Sequence, residues 1–294
     1  MTWFWLAIFS ALLSATAAIL QKKVLSELKA LDFTLILSAV VAALSTPLLA
    51  FTGTEGLNAD SMLYLLVKSV LNALAFLCIM TALKNLEIGR TLPLLAASPM
   101  IIALLAFIIL GEMLSAYEII GMTLIVAGTF ILELKKNESL LRPFHVFKSP
   151  GYHRIIFAAL ILISASAVMD KFILVKFKIS PILFVVIQNY FFLIIFLIIY
   201  LFTRKFSGEK IFTKERSKYL VITILIIAIV TIGYRLAQIE STKLAPVGIV
   251  ISLKRLSVLF AVLIGAKLFK EESYMKKVAA TILIVTGAML IYED

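Results

Sequence analysis

The 294-residue sequence is short of charge, cysteine and histidine, and each shortage closes a class of function. Only 15% of its residues are charged, where soluble domains carry about 25%. Hydrophobic residues make up 62%, and mean hydropathy is +1.09. Single cores stop growing near ~250–300 residues, so this apolar excess cannot be hidden inside one soluble domain. Soluble, disordered and fibrous readings are thereby excluded. The single cysteine, Cys78, lies in an apolar run and permits neither a disulfide within this chain nor a thiolate metal site. The two histidines, His145 and His153, fall in the central polar stretch without zinc-hydrolase spacing. No loop gathers a nucleophile, a base and metal ligands, so neither an enzyme nor a bound cofactor is expected.

What is present is a succession of apolar runs. A helix needs about 20 mostly apolar residues to cross roughly 30 Å of hydrocarbon. Residues 1–21, 33–54, 91–111 and 179–203 are free of charge; other runs hold one charge or are flanked by lysines that can snorkel. Together they predict an all-α polytopic membrane protein with ten transmembrane helices, at 2–22, 33–52, 61–83, 91–110, 116–134, 154–176, 180–202, 217–239, 245–267 and 273–292. Connections are short except 135–153 and 203–216, and the first divides the chain into 1–134 and 154–294.

The halves repeat. Ser14-Ala15-Thr16-Ala17 recurs as Ser164-Ala165-Ser166-Ala167, and Gln21-Lys22 as Asp170-Lys171. Lys84, Gly89, Glu112 and Gly128 recur as Lys243, Gly248, Glu271 and Gly287, at a constant offset of 159 residues. The first segment mimics a secretion signal at Ala15-Thr16-Ala17, but it lacks a charge before Lys22 and is half of the repeat, so it is expected to be a mature span. Five spans per half is an odd number, so the second half must enter the membrane from the opposite side. That is the inverted repeat of secondary transporters, with the substrate site in a central cavity between the halves.

Twenty Lys/Arg fall in or beside the connections after the odd-numbered spans, among them Lys22, Lys210 and Lys277, against Lys176, Lys178 and Lys243 on the other side. The surplus of cations reads as a topology signal and as contacts to lipid headgroups, not as a nucleic-acid surface. By the positive-inside rule both termini face outside, in what is expected to be a cell membrane.

Five cations remain inside spans: Lys68, Lys171, Arg235, Lys254 and Arg255. A cation at the bilayer centre costs at least ~2.5–3.5 kcal/mol, so such residues usually face a cavity or a partner. Lys254-Arg255 interrupts its run near the middle. It reads either as a substrate-facing pair or as an internal ion pair with Asp170 or Glu240. Tyr234, Arg235 and Gln238 place a phenol, a guanidinium and an amide late in span eight, with Glu240 near enough to neutralise the arginine. Asp170, Lys171, Gln21 and Lys22 sit at matched span ends and are candidates for gating or coupling, with Asp170 the best proton or cation site and snorkelling the alternative for the lysines. Lys68 is expected to snorkel, and Asn72 one turn further on is a weaker polar candidate. Gln188-Asn189-Tyr190 should hydrogen-bond between helices. Pro99 must free a backbone carbonyl inside span four, whereas Pro246 only opens span nine. Glu112 and Glu271-Glu272 read as interfacial structure, and Trp3, Trp5 and Tyr292 as an interfacial belt.

Ten spans in a five-plus-five repeat, Gly111-Glu112 closing span four, and the Gly128/Gly287 pair together resemble the EamA branch of the drug/metabolite transporter superfamily over essentially the whole chain. The resemblance implies a secondary transporter whose cavity is walled mainly by spans 1, 3, 4, 6, 8 and 9. Locally, Ser252-Leu253-Lys254-Arg255 is similar to the Lys-Arg pair of the plastid sugar-phosphate translocators, which implies that Lys254 and Arg255 meet an anionic group. Two features depart from relatives. The first span has no acid of the kind small multidrug transporters use, and Glu55 and Asp60 stand where basic residues usually separate spans two and three. The expectation is alternating-access transport of a small polar, anionic metabolite, with a proton or counter-substrate as coupling partner. Substrate would meet Lys254, Arg255, Tyr234, Arg235, Gln238 and Asn72. Export of amino acids or amphiphiles, flipping of a lipid-linked headgroup, and a non-transporting receptor or scaffold stand as alternatives.

Overall fold

A computed structural model describes residues 2–25, 27–85, 95–133, 152–204, 217–261 and 274–293, and among these no strand occurs. The helices are α1 (Thr2–Leu25), α2 (Ala30–Ser45), α3 (Ala59–Asn85), α4 (Ser98–Leu110), α5 (Ala116–Glu133), α6 (Tyr152–Phe177), α7 (Pro181–Arg204), α8 (Ser217–Leu244), α9 (Val247–Lys254) and α10 (Tyr274–Glu293). Among the described residues, six candidate spans are long and apolar enough to cross a membrane: α1, α2 with the residues up to Phe51, α3, α6, α7 and α8. Ser98–Leu110, Ala116–Leu132 and Val278–Glu293 are shorter apolar helices. Nearly all of 135–153 and 203–216 lies outside the described residues, as do Gly89 and Glu271-Glu272.

Local chemistry fixes where helices begin and end. Asn58 accepts from the Ser61 amide at 2.8 Å while its own amide donates to Ser61 Oγ at 2.9 Å, which starts α3. Ser115 and Glu118 form the same reciprocal box at the start of α5. Gly111 ends α4 in the left-handed conformation, φ 68°, where a side chain would be strained. Predicted span two does not stay α-helical throughout. Pro47 lacks an amide hydrogen, and Thr46–Phe51 continues as a 3₁₀ segment.

Predicted spans four and nine are both interrupted. Residues 95–96 are helical, Ala97 is a turn, and α4 begins only at Ser98. Likewise α9 ends at Lys254, Arg255 is a turn, and residues 256–261 resume the helix. The Arg255 amide bonds Ser252 O at 2.9 Å and the Val258 amide bonds Arg255 O at 2.9 Å, three-residue spacings that tighten the turn there.

In lipid, apolar side chains gain nothing by leaving their solvent for each other, so helices associate where small residues let backbones meet. Large apolar residues such as Phe9, Leu104, Ile108 and Ile229 are accordingly exposed, while Ala7, Ala11 and Ala15 of α1 are buried. The most extensive packing joins α5 to α10, α3 to α6, α1 to α8, α2 to α7 and α4 to α6, followed by α4 to α9, α2 to α8 and α3 to α7. At the α5–α10 crossing a Cβ on Gly121 would lie 2.6 Å from the Gly287 carbonyl oxygen, and one on Gly128 would lie 2.8 Å from that of Ala280. Phe4 packs against Tyr292 with the rings tilted by 59° and centroids 4.9 Å apart, and Ser241 Oγ donates to Trp3 O at 2.8 Å. The beginning of α1, the end of α8 and the end of α10 therefore share one end of the bundle.

Candidate functional site

Helix α8 carries Tyr234, Arg235 and Gln238 at spacings that put them on adjoining parts of one face. The broken α9 brings Lys254 and Arg255 opposite them. Between these walls lies a cavity of about 350 Å³ whose charged lining is Asp170, Arg235, Lys254 and Arg255. Asn72, Tyr234 and Gln238 also line it, so all six residues expected to meet substrate border one space. Three cations to one acid leave this wall formally positive.

The acid is already engaged. Asp170 on α6 pairs with Lys68 Nζ on α3 at 2.7 Å through one oxygen, and its other oxygen lies 3.8 Å from Arg235 Nη2. The expectation that Lys68 snorkels is therefore overturned: it is 0% exposed, points inward to Asp170 and lies 5.1 Å from the centroid of the Phe184 ring. A buried partner outweighs the few ångströms to the interface, because an unpaired buried charge is the costliest arrangement available to it. Arg235 donates to Gln188 Oε1 at 2.7 Å and to Gln238 Oε1 at 3.1 Å, so two amides and Asp170 take the place foreseen for Glu240. Lys254 donates to the same Gln238 oxygen and sits 5.0 Å from the centroid of the Tyr234 ring. One amide oxygen thus holds two like charges side by side, both aimed at the cavity. Asn189 reaches Ser45 Oγ at 3.3 Å and Tyr190 Oη lies 2.7 Å from Thr46 Oγ1, which are the interhelical bonds expected of Gln188-Asn189-Tyr190.

Arg255 explains how the break in span four is tolerated. Pro99 has no amide hydrogen, so the carbonyl four residues earlier, at Leu95, loses its helical donor. Arg255 Nη2 donates to that oxygen at 2.6 Å and also bonds Ser98 Oγ. The proline that empties a carbonyl and the arginine that fills it come from different halves of the chain. Pro99→Ala would return an amide to position 99. The cost of Arg255→Ala should then shrink, with a coupling energy of about 0.5–3 kcal/mol in a four-protein thermal-unfolding cycle. Strictly additive losses would mean that the two groups are independent.

Lys171 takes a different course from its neighbour. It bonds Ala245 O at 2.9 Å and Lys243 O at 3.3 Å, and its ammonium is 3.6 Å from Glu112. The other Glu112 oxygen accepts the Val247 amide at 2.9 Å, the first donor of α9. Glu112, read from the sequence as interfacial structure, therefore ties the end of α4 to α6 and to the α8–α9 turn. Gln21 lies at the end of α1 and borders neither this cavity nor the second one described below; the side chain of Lys22 is outside the described residues. Sequence reasoning missed Lys68 as an internal partner. It also missed Ser14, Ser98, Ser166 and Ser257 as cavity lining, because a serine in an apolar run carries no signal of direction even where, as at Ser14 and Ser166, its segment recurs in both halves.

A bundle of apolar helices with buried ion pairs around an internal polar cavity defines an integral membrane protein built to admit a small solute. Residues 1–134 and 151–293 match the EamA-like transporter family, and the chain belongs to that family. It is thus a membrane transporter of small solutes, within the drug/metabolite transporter superfamily. No curated protein matches the sequence. One crystal structure superposes on 98% of this chain and 96% of its own length with a TM-score of 0.76 at 14% identity, a likeness of fold alone.

Proposed function

We propose that the protein is a secondary active transporter that moves a small anionic metabolite by alternating access between two inverted five-helix repeats, 1–134 and 154–294. The observation that carries the anionic assignment is the lining of the cavity, where Arg235, Lys254 and Arg255 face a single acid. Both oxygens of that acid already have cations beside them, so a substrate ammonium would have to displace Lys68 or Arg235. This favours an anion over a zwitterion. Arg supplies a planar fork and Lys a point charge, a combination suited to phosphate or carboxylate. The local likeness of Ser252-Leu253-Lys254-Arg255 to the sugar-phosphate translocators points the same way.

Support for the inverted repeat comes from packing. Numbering the helices one to five in each half, the principal contacts are first with third, third with first, second with second, fourth with fourth and fifth with fifth. They are joined by fourth with first and its counterpart first with fourth, and by second with third and third with second. Exchanging the halves leaves that pattern unchanged. The 159-residue offset also turns the Gly121–Gly287 contact into the Ala280–Gly128 contact. Such a bundle has two equivalent ways to open. We assign Lys171 and Glu112 to the closure at the end nearest the chain termini, and Lys22, by its matched place in the repeat, to the other end. The cation bias places the termini outside.

The test is uptake by purified protein in proteoliposomes against phosphorylated, carboxylated, zwitterionic and neutral solutes of similar size. Competition by anions alone is expected. Competition by neutral or zwitterionic solutes at equal concentration would overturn the anionic assignment.

A further inference from the structure

A second cavity of about 210 Å³ adjoins the first, and Asn72, Phe192, Tyr234 and Arg235 border both. Its chemistry is different. Leu37, Val41, Ala73, Phe76 and Phe196 line it, and among the described residues Arg235 is its one charged neighbour. The Phe196 ring meets Phe76 edge-on, with centroids 5.5 Å apart, and Phe192 at 6.2 Å. Three of its polar side chains are turned to other partners: Thr34 Oγ1 donates to Ala30 O, Ser38 Oγ to Leu35 O, and Asn189 to Ser45, while Asn72, Thr231 and Tyr234 remain on the wall. What this space offers a ligand is mainly aliphatic and aromatic surface.

From this juxtaposition we infer that the substrate is an amphipathic organic anion: its oxyanion sits among Arg235, Lys254 and Arg255, and an apolar arm enters the Phe76–Phe192–Phe196 cavity. The inference rests on the anionic reading of the first cavity and adds the other half of the molecule. Arg235 marks the boundary, so the arm should begin within a bond or two of the charged group. A strongly hydrated arm, such as a polyol, would surrender its water to a wall that offers few partners in return. An apolar arm gains by the same transfer, about 0.8 kcal/mol or roughly fourfold in affinity for each methylene buried.

The test uses the full chain in detergent, with binding read by calorimetry or thermal stabilisation. The probes are inorganic phosphate, the n-alkyl monophosphates from methyl to hexyl, and phenyl phosphate. Affinity should climb about fourfold per methylene over the first members and then level off as the second cavity fills. Ala73→Leu and Ser38→Leu, placed on different helices, each fill that cavity from one side. Either should flatten the climb while leaving inorganic phosphate binding unchanged. Affinities independent of chain length, or a climb untouched by both substitutions, would overturn the inference. If the matching n-alcohols climb in the same way and phosphate adds nothing, the apolar arm survives and the anionic reading fails.

Discussion

Replacing Asp170 with alanine should destabilise the protein by about 3–5 kcal/mol, the usual consequence of removing one partner of a buried ion pair. Lys68 would remain, with its side chain 1% exposed and its counterion gone. Arg235, 3.8 Å from the same carboxylate, would lose its only acid among the described contacts. The neighbourhood would then hold Lys68, Arg235, Lys254 and Arg255 with no compensating charge from Asp170. The companion variant decides the cause. Lys68→Met fills similar volume without charge, so Asp170→Ala/Lys68→Met should recover most of the loss, because replacing both members of a buried pair is often nearly neutral. Thermal unfolding in detergent gives the comparison. A double variant no more stable than Asp170→Ala alone would show that the carboxylate acts through something other than this pair.

Removing the paired cations should have the largest effect on transport. Each charge-assisted hydrogen bond contributes about 1.5–3 kcal/mol. Losing two therefore corresponds to roughly 10²–10⁴ in apparent affinity or rate at low substrate. Lys254→Ala/Arg255→Ala is the direct experiment, but Arg255 also bonds Leu95 O and Ser98. Lys254→Met/Arg255→Gln keeps a donor for those oxygens and separates the two duties. Uptake should collapse in both double variants, while thermal stability should fall mainly in the first. Transport at the parent's rate by the glutamine variant would remove the pair from the substrate path.

The outline of the fold was legible because hydropathy reports which residues meet lipid. Each predicted span overlaps one of the helices α1–α10, although α9 covers only Val247–Lys254 of the ninth, and six candidate spans among the described residues are long and apolar enough to cross a membrane. The breaks at Ala97 and Arg255 were not legible as breaks. Pro99 announced a missing donor, but nothing in the sequence told where the replacement would come from, since Arg255 lies 156 positions away. The same limit explains Lys68. Its distance from a span end is readable, whereas the presence of Asp170 on a facing helix is a fact of packing. Residues with charge in apolar runs were found because burial of charge is costly wherever it occurs. Serines were not, because a hydroxyl can satisfy itself on its own helix, as Thr129 and Ser69 do.

The dominant packing always joins a helix from one half of the chain to a helix from the other. Neither half therefore owns an interior. A product of residues 1–134 alone would present the small-residue faces of α1 and α5 to acyl chains and leave Lys68 with no counterion from α6.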